Sequence, residues 1–189
     1  MNDSWLSPLS YQAYVSSLMD VSKTFRRTFK RGMTMVDLND IRSRTTSVRD
    51  YIDGLKDKDK EKYLEVYNTY KLNSSVVDEL KDYLKDLTLV VFGAAWCGDC
   101  KRAMPVIMQL EEQLGLEVLV FSKIKTAPLD PDHQWAVPPS PPEIDEWGVT
   151  AIPWLNFYDT KGNLVGTLIE KPTVKDTLEA EILYVLKNK

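Results

Sequence analysis

The chain has 189 residues, 43% of them hydrophobic and 28% charged, with a formal net charge of −4 and two cysteines. That length and apolar content suffice for a buried core, whereas the acidic balance argues against nucleic acid or an anionic membrane as the principal partner. No apolar run approaches a membrane span, and Met1 to Ser10 lacks the charged start and apolar centre of a secretory signal, so a cytoplasmic location is expected.

From the N-terminus, Tyr11, Tyr14, Val15, Leu18, Phe25 and Phe29 recur at three- and four-residue steps up to Gly32, which predicts an amphipathic helix with its stop. Lys23, Arg26, Arg27, Lys30 and Arg31 gather at its end, where a solvated face complementing the helix dipole is favoured over an anion site. Thr34 to Tyr51 carries no clear period, although Asp37, Asn39 and Asp40 offer turn or cap chemistry, and Gly54 breaks the chain. A mixed-charge helix starts at Asp57-Lys58-Asp59-Lys60. Tyr63, Leu64, Tyr67 and Tyr70 share one of its faces, as core residues whose hydroxyls reach water. Asn73-Ser74-Ser75 punctuates, Ser75 and Asp78 form a capping pair, and Val76, Val77, Leu80, Tyr83 and Leu84 define the next helix.

Leu87 to Phe92 is a β-branched apolar run that reads as a buried strand, and it is followed by Trp96-Cys97-Gly98-Asp99-Cys100-Lys101-Arg102-Ala103-Met104-Pro105 at the start of a helix. A helix N-terminus presents free N–H groups and a partial positive charge, which favour a thiolate at Cys97. Cys100 lies one turn further on the same face, placed to attack a mixed disulfide at Cys97. Lys101 and Arg102 support the thiolate, while Asp99 opposes it by on the order of 1 kcal/mol at about 4 Å in water. Two readings without catalysis compete. Structural zinc needs four ligands, and the chain offers two cysteines and the lone His133; a static disulfide across a two-residue loop is geometrically poor.

Leu116 to Ile124 is the second strong strand candidate. Pro128, Pro131, Pro138, Pro139, Pro141 and Pro142 then exclude regular helix or central strand over a stretch that also holds Trp135, and a short helix runs from Glu143 to Gly148 with Pro142 in its first turn. A loop this long in a compact domain tends to be functional or disordered, so it is expected either to shape access to the cysteines or to be a rigid surface loop.

The segment Trp96 to Pro105 resembles the active-site segment of the thioredoxin superfamily, and other landmarks agree: Ile152-Pro153 is similar to the family's Ile-cis-Pro, Asp159 to Asn163 to its last hairpin turn, and Thr173 to Lys189 to its closing helix. The resemblance implies a thioredoxin-like three-layer α/β fold with a central mixed β-sheet over residues 74–189, with a Pro-rich insertion at about 126–142, preceded by an α-helical extension over residues 1–73. It also implies Cys97 as nucleophile and Cys100 as resolving thiol, with Trp96, Gly98, Asp99, Ile152 and Pro153 contacting substrate. Two departures matter. Val91 stands where the family has a buried Asp that relays a proton to the second cysteine, with the partner Lys falling near Ser122 or Lys123; and Gly98-Asp99 replaces the common Gly-Pro. Trp154, which follows Pro153 where the family usually has Thr, is either core or an added apolar contact surface.

The expected activity is therefore thiol–disulfide exchange on protein disulfides, with no metal and no organic cofactor, since the dithiol is the whole redox apparatus. An external electron donor, a reductase or a low-molecular-weight thiol, has to recharge it. The competing expectation is a thioredoxin-fold binding or adaptor module in which the dithiol is regulatory or vestigial.

Overall fold

Within the described residues, 35–130 and 134–188 of the computed structural model, four helices precede the first strand. They are α1 (Leu38–Arg44), α2 (Val48–Asp53), α3 (Asp57–Thr69) and α4 (Ser74–Leu84). The expected helix around Tyr11–Phe29, its basic cluster and His133 lie outside the described residues. The irregular stretch before Gly54 resolves into α1 and α2, of seven and six residues, started by Asp37 and Ser47, whose side chains accept backbone N–H groups of the first turn. The cap of α4 is Asn73, whose Oδ1 accepts from the Ser75 N–H at 3.2 Å; the expected Ser75–Asp78 pair does not form it.

The sheet is built outward from β1 (Leu87–Phe92). Helix α5 (Gly98–Leu114) carries the chain across to β2 (Glu117–Phe121), parallel to β1; after the short α6 (Glu143–Glu146), β3 (Trp154–Asp159) and β4 (Leu164–Ile169) add antiparallel strands, and α7 (Leu178–Lys187) closes the chain. Strand order is β2-β1-β3-β4, a mixed sheet as expected. As its apolar composition requires, β1 is buried on both faces, with Val91 paired to Val120 on one side and Leu155 on the other.

Residues before β1 cover the edge of β2. Thr46 and Val120 exchange backbone hydrogen bonds of 3.3 and 2.8 Å, and the Arg42 guanidinium holds Glu117 through bonds of 2.6 and 2.8 Å. Such cover removes an open edge on which another chain would otherwise pair. Arg44 reaches the buried Glu143 of α6 and lies over the Phe121 ring, 5.7 Å from its centroid. Helices α2 and α3 pack on α5 in the same compact unit, Met35–Lys189.

Of the tyrosines at the α3 face, Tyr63 departs from expectation. Tyr63 is fully buried and its hydroxyl meets that of Tyr51, whereas the partly buried Tyr67 bonds Glu112 in an exposed contact and Tyr70, the partly buried C-cap, donates to the buried Glu179 at 2.7 Å. In the last hairpin, Gly162 sits at φ 80° with its carbonyl accepting from the Val36 N–H, and a Cβ there would meet the Val36 carbonyl oxygen at 2.1 Å. The closing helix begins at Leu178 instead of Thr173, because the Glu181 carboxylate turns back to accept the N–H groups of Thr173, Val174 and Lys175 and holds them as a loop.

Candidate active site

Cys97 is the N-cap of α5. Its extended backbone (φ −79°, ψ 124°) ends the loop from β1, and its sulfur accepts the Cys100 N–H at 3.1 Å, satisfying a donor that the helix itself leaves free. The Cys97 thiol donates to the Ile152 carbonyl at 3.3 Å, and the Ile152–Pro153 bond that follows is cis. Strand, helix start and Pro loop thus converge on one sulfur.

Asp99 and the two basic residues that follow do not act on that sulfur as a simple charge sum. Lys101 pairs with Asp59 of α3 at 3.3 Å, and the largely exposed Arg102 pairs with Asp99 at 3.2 Å, so each cation already faces a carboxylate. What lowers the Cys97 thiol to about 7 is hydrogen bonding, first from the Cys100 thiol and then from the N–H groups of Cys100 and Asp99; burial and the Asp99 charge oppose it. Cys100 has the opposite environment. It is wholly buried, and its hydrogen bond to Cys97 and its burial push it far above the ordinary thiol range, against an opposing backbone hydrogen bond from Ala94. The two thiols are thereby split in the order expected from their places on the helix. Pro105, one turn beyond, interrupts the α5 hydrogen-bond ladder from a buried position.

Gly98 begins α5 with open space where a Cβ would stand. Trp96 is 54% exposed beside Cys97, its indole N–H donating to the Ile124 carbonyl at 3.2 Å. Trp135, from the Pro-rich stretch, stacks on it with ring centroids 6.3 Å apart and planes 27° from parallel. The described residues of that stretch are tied down at both ends: Lys125 and Val137 form a bridge, Ser140 Oγ takes the Lys125 N–H at 2.9 Å and donates to its carbonyl at 3.1 Å, and Pro138–Pro139 is cis. Trp154 adds no contact surface. It is buried, with its N–H on Asn156 Oδ1 at 3.0 Å, while Trp147 is packed among Phe92, Phe121 and Tyr158.

Two neighbours of the site were not singled out from sequence: Glu170 donates its N–H to the Pro153 carbonyl at 2.7 Å, and the Tyr51–Tyr63 pair lies on helices before β1. An odd residue type after a β-strand, Glu170 at φ 62°, has no sequence signal of its own. Among the described residues no cluster of three or more His, Cys, Asp or Glu is arranged to hold a metal ion. Nor is any described helix long and apolar enough to cross a membrane.

The chain is similar to several known proteins. A thioredoxin family model matches residues 45–136. The chain is similar to the chloroplastic M-type thioredoxin of Pisum sativum, 29% identical over 114 residues, 59% of either chain. It is also similar to thioredoxin 1 of a Nostoc species, 28% identical over 96 residues, 50% of this chain and 78% of that one. The matches take in 59%, 28% and 21% of the full lengths of the first three curated relatives. In fold, the chain is similar to a solved protein of unknown function from Pseudomonas aeruginosa at TM-score 0.61, with 17% identity over 81% of this chain and 96% of that one. With a mixed sheet of matching architecture, two cysteines one turn apart at a helix start, and these relatives, the chain belongs to the thioredoxin superfamily.

Proposed function

We propose that the protein is a thiol–disulfide oxidoreductase acting on protein disulfides. The carrying observation is Cys97 itself: an N-cap sulfur lowered to about 7, hydrogen-bonded to the carbonyl before Pro153, above a buried Cys100 whose thiol is raised. The Cys97 thiolate attacks one sulfur of the substrate disulfide, forming a mixed disulfide as the first substrate thiolate leaves and takes up a proton. Cys100 then attacks Cys97 Sγ. The Cys97–Cys100 bond forms, the mixed disulfide breaks, and the second substrate thiol departs. Two electrons pass from the dithiol to the substrate, and an external thiol or reductase returns them.

Once Cys97 ionises it no longer donates to the Ile152 carbonyl, which frees that acceptor, beside Pro153, for the backbone of an extended substrate. The exposed Trp96, braced by Trp135, supports a polypeptide as substrate over a small disulfide, because a broad aromatic surface gains contact area only from a chain large enough to lie on it. Gly98 and Asp99 border the same entrance from the first turn of α5. A cytoplasmic setting belongs to this reading, and cell fractionation tests it.

Reduction of insulin disulfides with dithiothreitol as donor is the test. Turnover well above the dithiothreitol blank, lost in Cys97→Ser, is expected; a protein that gives the blank rate while folded is the adaptor alternative.

A further inference from the structure

Resolving the mixed disulfide requires a thiolate at Cys100, in a place that resists one. The side chain is wholly buried, the main backbone contribution to its sulfur comes from Ala94, and Val91, buried in β1, has no polar group to offer. An anion formed there needs another hydrogen-bond donor.

Two phenols stand on the α2–α3 side of α5. Tyr51 and Tyr63 are 6% and 0% exposed, their oxygens are 3.2 Å apart, and their rings meet edge to face at 6.0 Å. Two hydroxyls carry two protons, and their mutual bond uses one; among the described residues no hydrogen bond takes up the other.

Helix register brings that pair to Cys100. The Lys101–Asp59 pair at 3.3 Å and the bond from Gln109 Nε2 to the Tyr67 carbonyl at 2.6 Å both join residues 42 apart, so α3 and α5 run parallel in step. Tyr63 is therefore level with Pro105. A helical side chain leans about one turn toward its own N-terminus, which carries the Tyr63 hydroxyl back to the level of Asp59, Lys101 and Cys100. Electrostatics agree: burial is the largest cause raising both phenols, Tyr51 to about 12, and negative charge on Cys100 and Cys97 adds to it at each, with Asp59 adding at Tyr51. Both stay protonated at neutral pH and remain donors. The other charged groups facing the dithiol are Asp99 on α5 and the Lys101–Asp59 pair.

We propose that the Tyr51–Tyr63 pair supplies the missing donor: one phenol hydrogen-bonds the Cys100 sulfur as it ionises, and the other orients that phenol. This rests on the oxidoreductase reading and assigns its resolving step a residue pair from outside the active-site segment. The Cys100 proton passes to water, the Cys97–substrate S–S bond breaks as Cys97–Cys100 forms, and the substrate thiolate is protonated by water. The phenols keep their protons throughout, so no further oxidant or reductant enters.

The test uses the full chain with Tyr51→Phe and Tyr63→Phe, each of which removes one oxygen and keeps the ring. In a Cys97→Ser background, where Cys100 is the sole thiol, thiolate absorbance reports its titration; at least one phenylalanine variant is expected to raise the midpoint by about one pH unit. In the parent background, release of substrate from a preformed mixed disulfide at neutral pH is expected to slow about tenfold. That gap should close as pH rises, with the alkylation rate of Cys97 unchanged. If a variant does not fold, carbon NMR of the tyrosine ring in the Cys97→Ser protein decides: a tyrosine signal must shift with the Cys100 midpoint. Unmoved midpoints and pH profiles in both folded variants, or tyrosine signals blind to Cys100, overturn the assignment while leaving the oxidoreductase reading intact. Failure to form a mixed disulfide at Cys97 sinks that reading instead, and the titration still judges the tyrosines.

Discussion

The rim and the floor of the dithiol site are built from the same helix start, yet they treat a negative sulfur in opposite ways. At the rim, Cys97 accepts backbone N–H groups from the first turn of α5 and is lowered to about 7. At the floor, one turn deeper, the wholly buried Cys100 lies close to Gly93 in a mostly apolar core, and it is raised. Hydrogen-bond donors, not nearby cations, make the difference, since Lys101 and Arg102 are each turned toward a carboxylate. An N-cap position gives one sulfur the helix's free donors, and three residues later those donors are already used within the helix.

Exchanging the sulfurs for oxygens breaks the comparison most sharply. In the insulin assay Cys97→Ser is expected to lower turnover by on the order of a thousandfold or more, because no nucleophile remains at the rim. Cys100→Ser should instead accumulate mixed disulfides with protein substrates, visible as adducts that dithiothreitol removes. Equal trapping by the two variants would erase the distinction between rim and floor.

Placing a carboxyl in the floor sharpens it. Val91→Asp puts a carboxyl into a strand buried on both faces, and denaturant unfolding should show a loss on the order of 3 kcal/mol. The new carboxyl is held protonated by burial while the unfolded chain releases its proton, so the loss deepens as pH rises through the carboxylate range. An undiminished stability at neutral pH means that the floor is wetter than its packing indicates.

A smaller effect is expected further out on the rim. Trp135→Ala removes the partner stacked on Trp96, and kcat/KM for a protein disulfide should fall about threefold to tenfold, with little change for a small aromatic disulfide. Equal losses for both substrates would assign Trp135 to folding of the Pro-rich loop.

Much of the rim could be read from the chain. Two cysteines one turn apart, an apolar run before them and a helical run after them identify the strand, the N-cap and the order of the two thiols without any coordinates. The floor was less legible, for physical reasons. Helices α1 and α2 are shorter than two full turns, so no hydrophobic period develops in them, and their positions depend on contacts such as Arg42–Glu117 that join residues 75 apart. The mixed-charge α3 buries one residue completely, Tyr63, and a tyrosine on a charged helix reads as half-exposed until its partner Tyr51 is known. Trp154 remained open between core and surface until Asn156 was seen to take its N–H.

The central claim, a sulfur at the rim made reactive by its N-cap position over one kept protonated at the floor, is tested most directly by competitive alkylation. The reduced protein is treated with a limiting amount of iodoacetamide across pH 6 to 8, and each cysteine's modification is read by peptide mass spectrometry. Cys97 should be labelled first throughout, its rate rising about tenfold over that range and levelling off as a thiol near 7 becomes fully ionised. Preferential labelling of Cys100, or a Cys97 rate that climbs nearly a hundredfold without levelling as an unshifted thiol's would, contradicts the account.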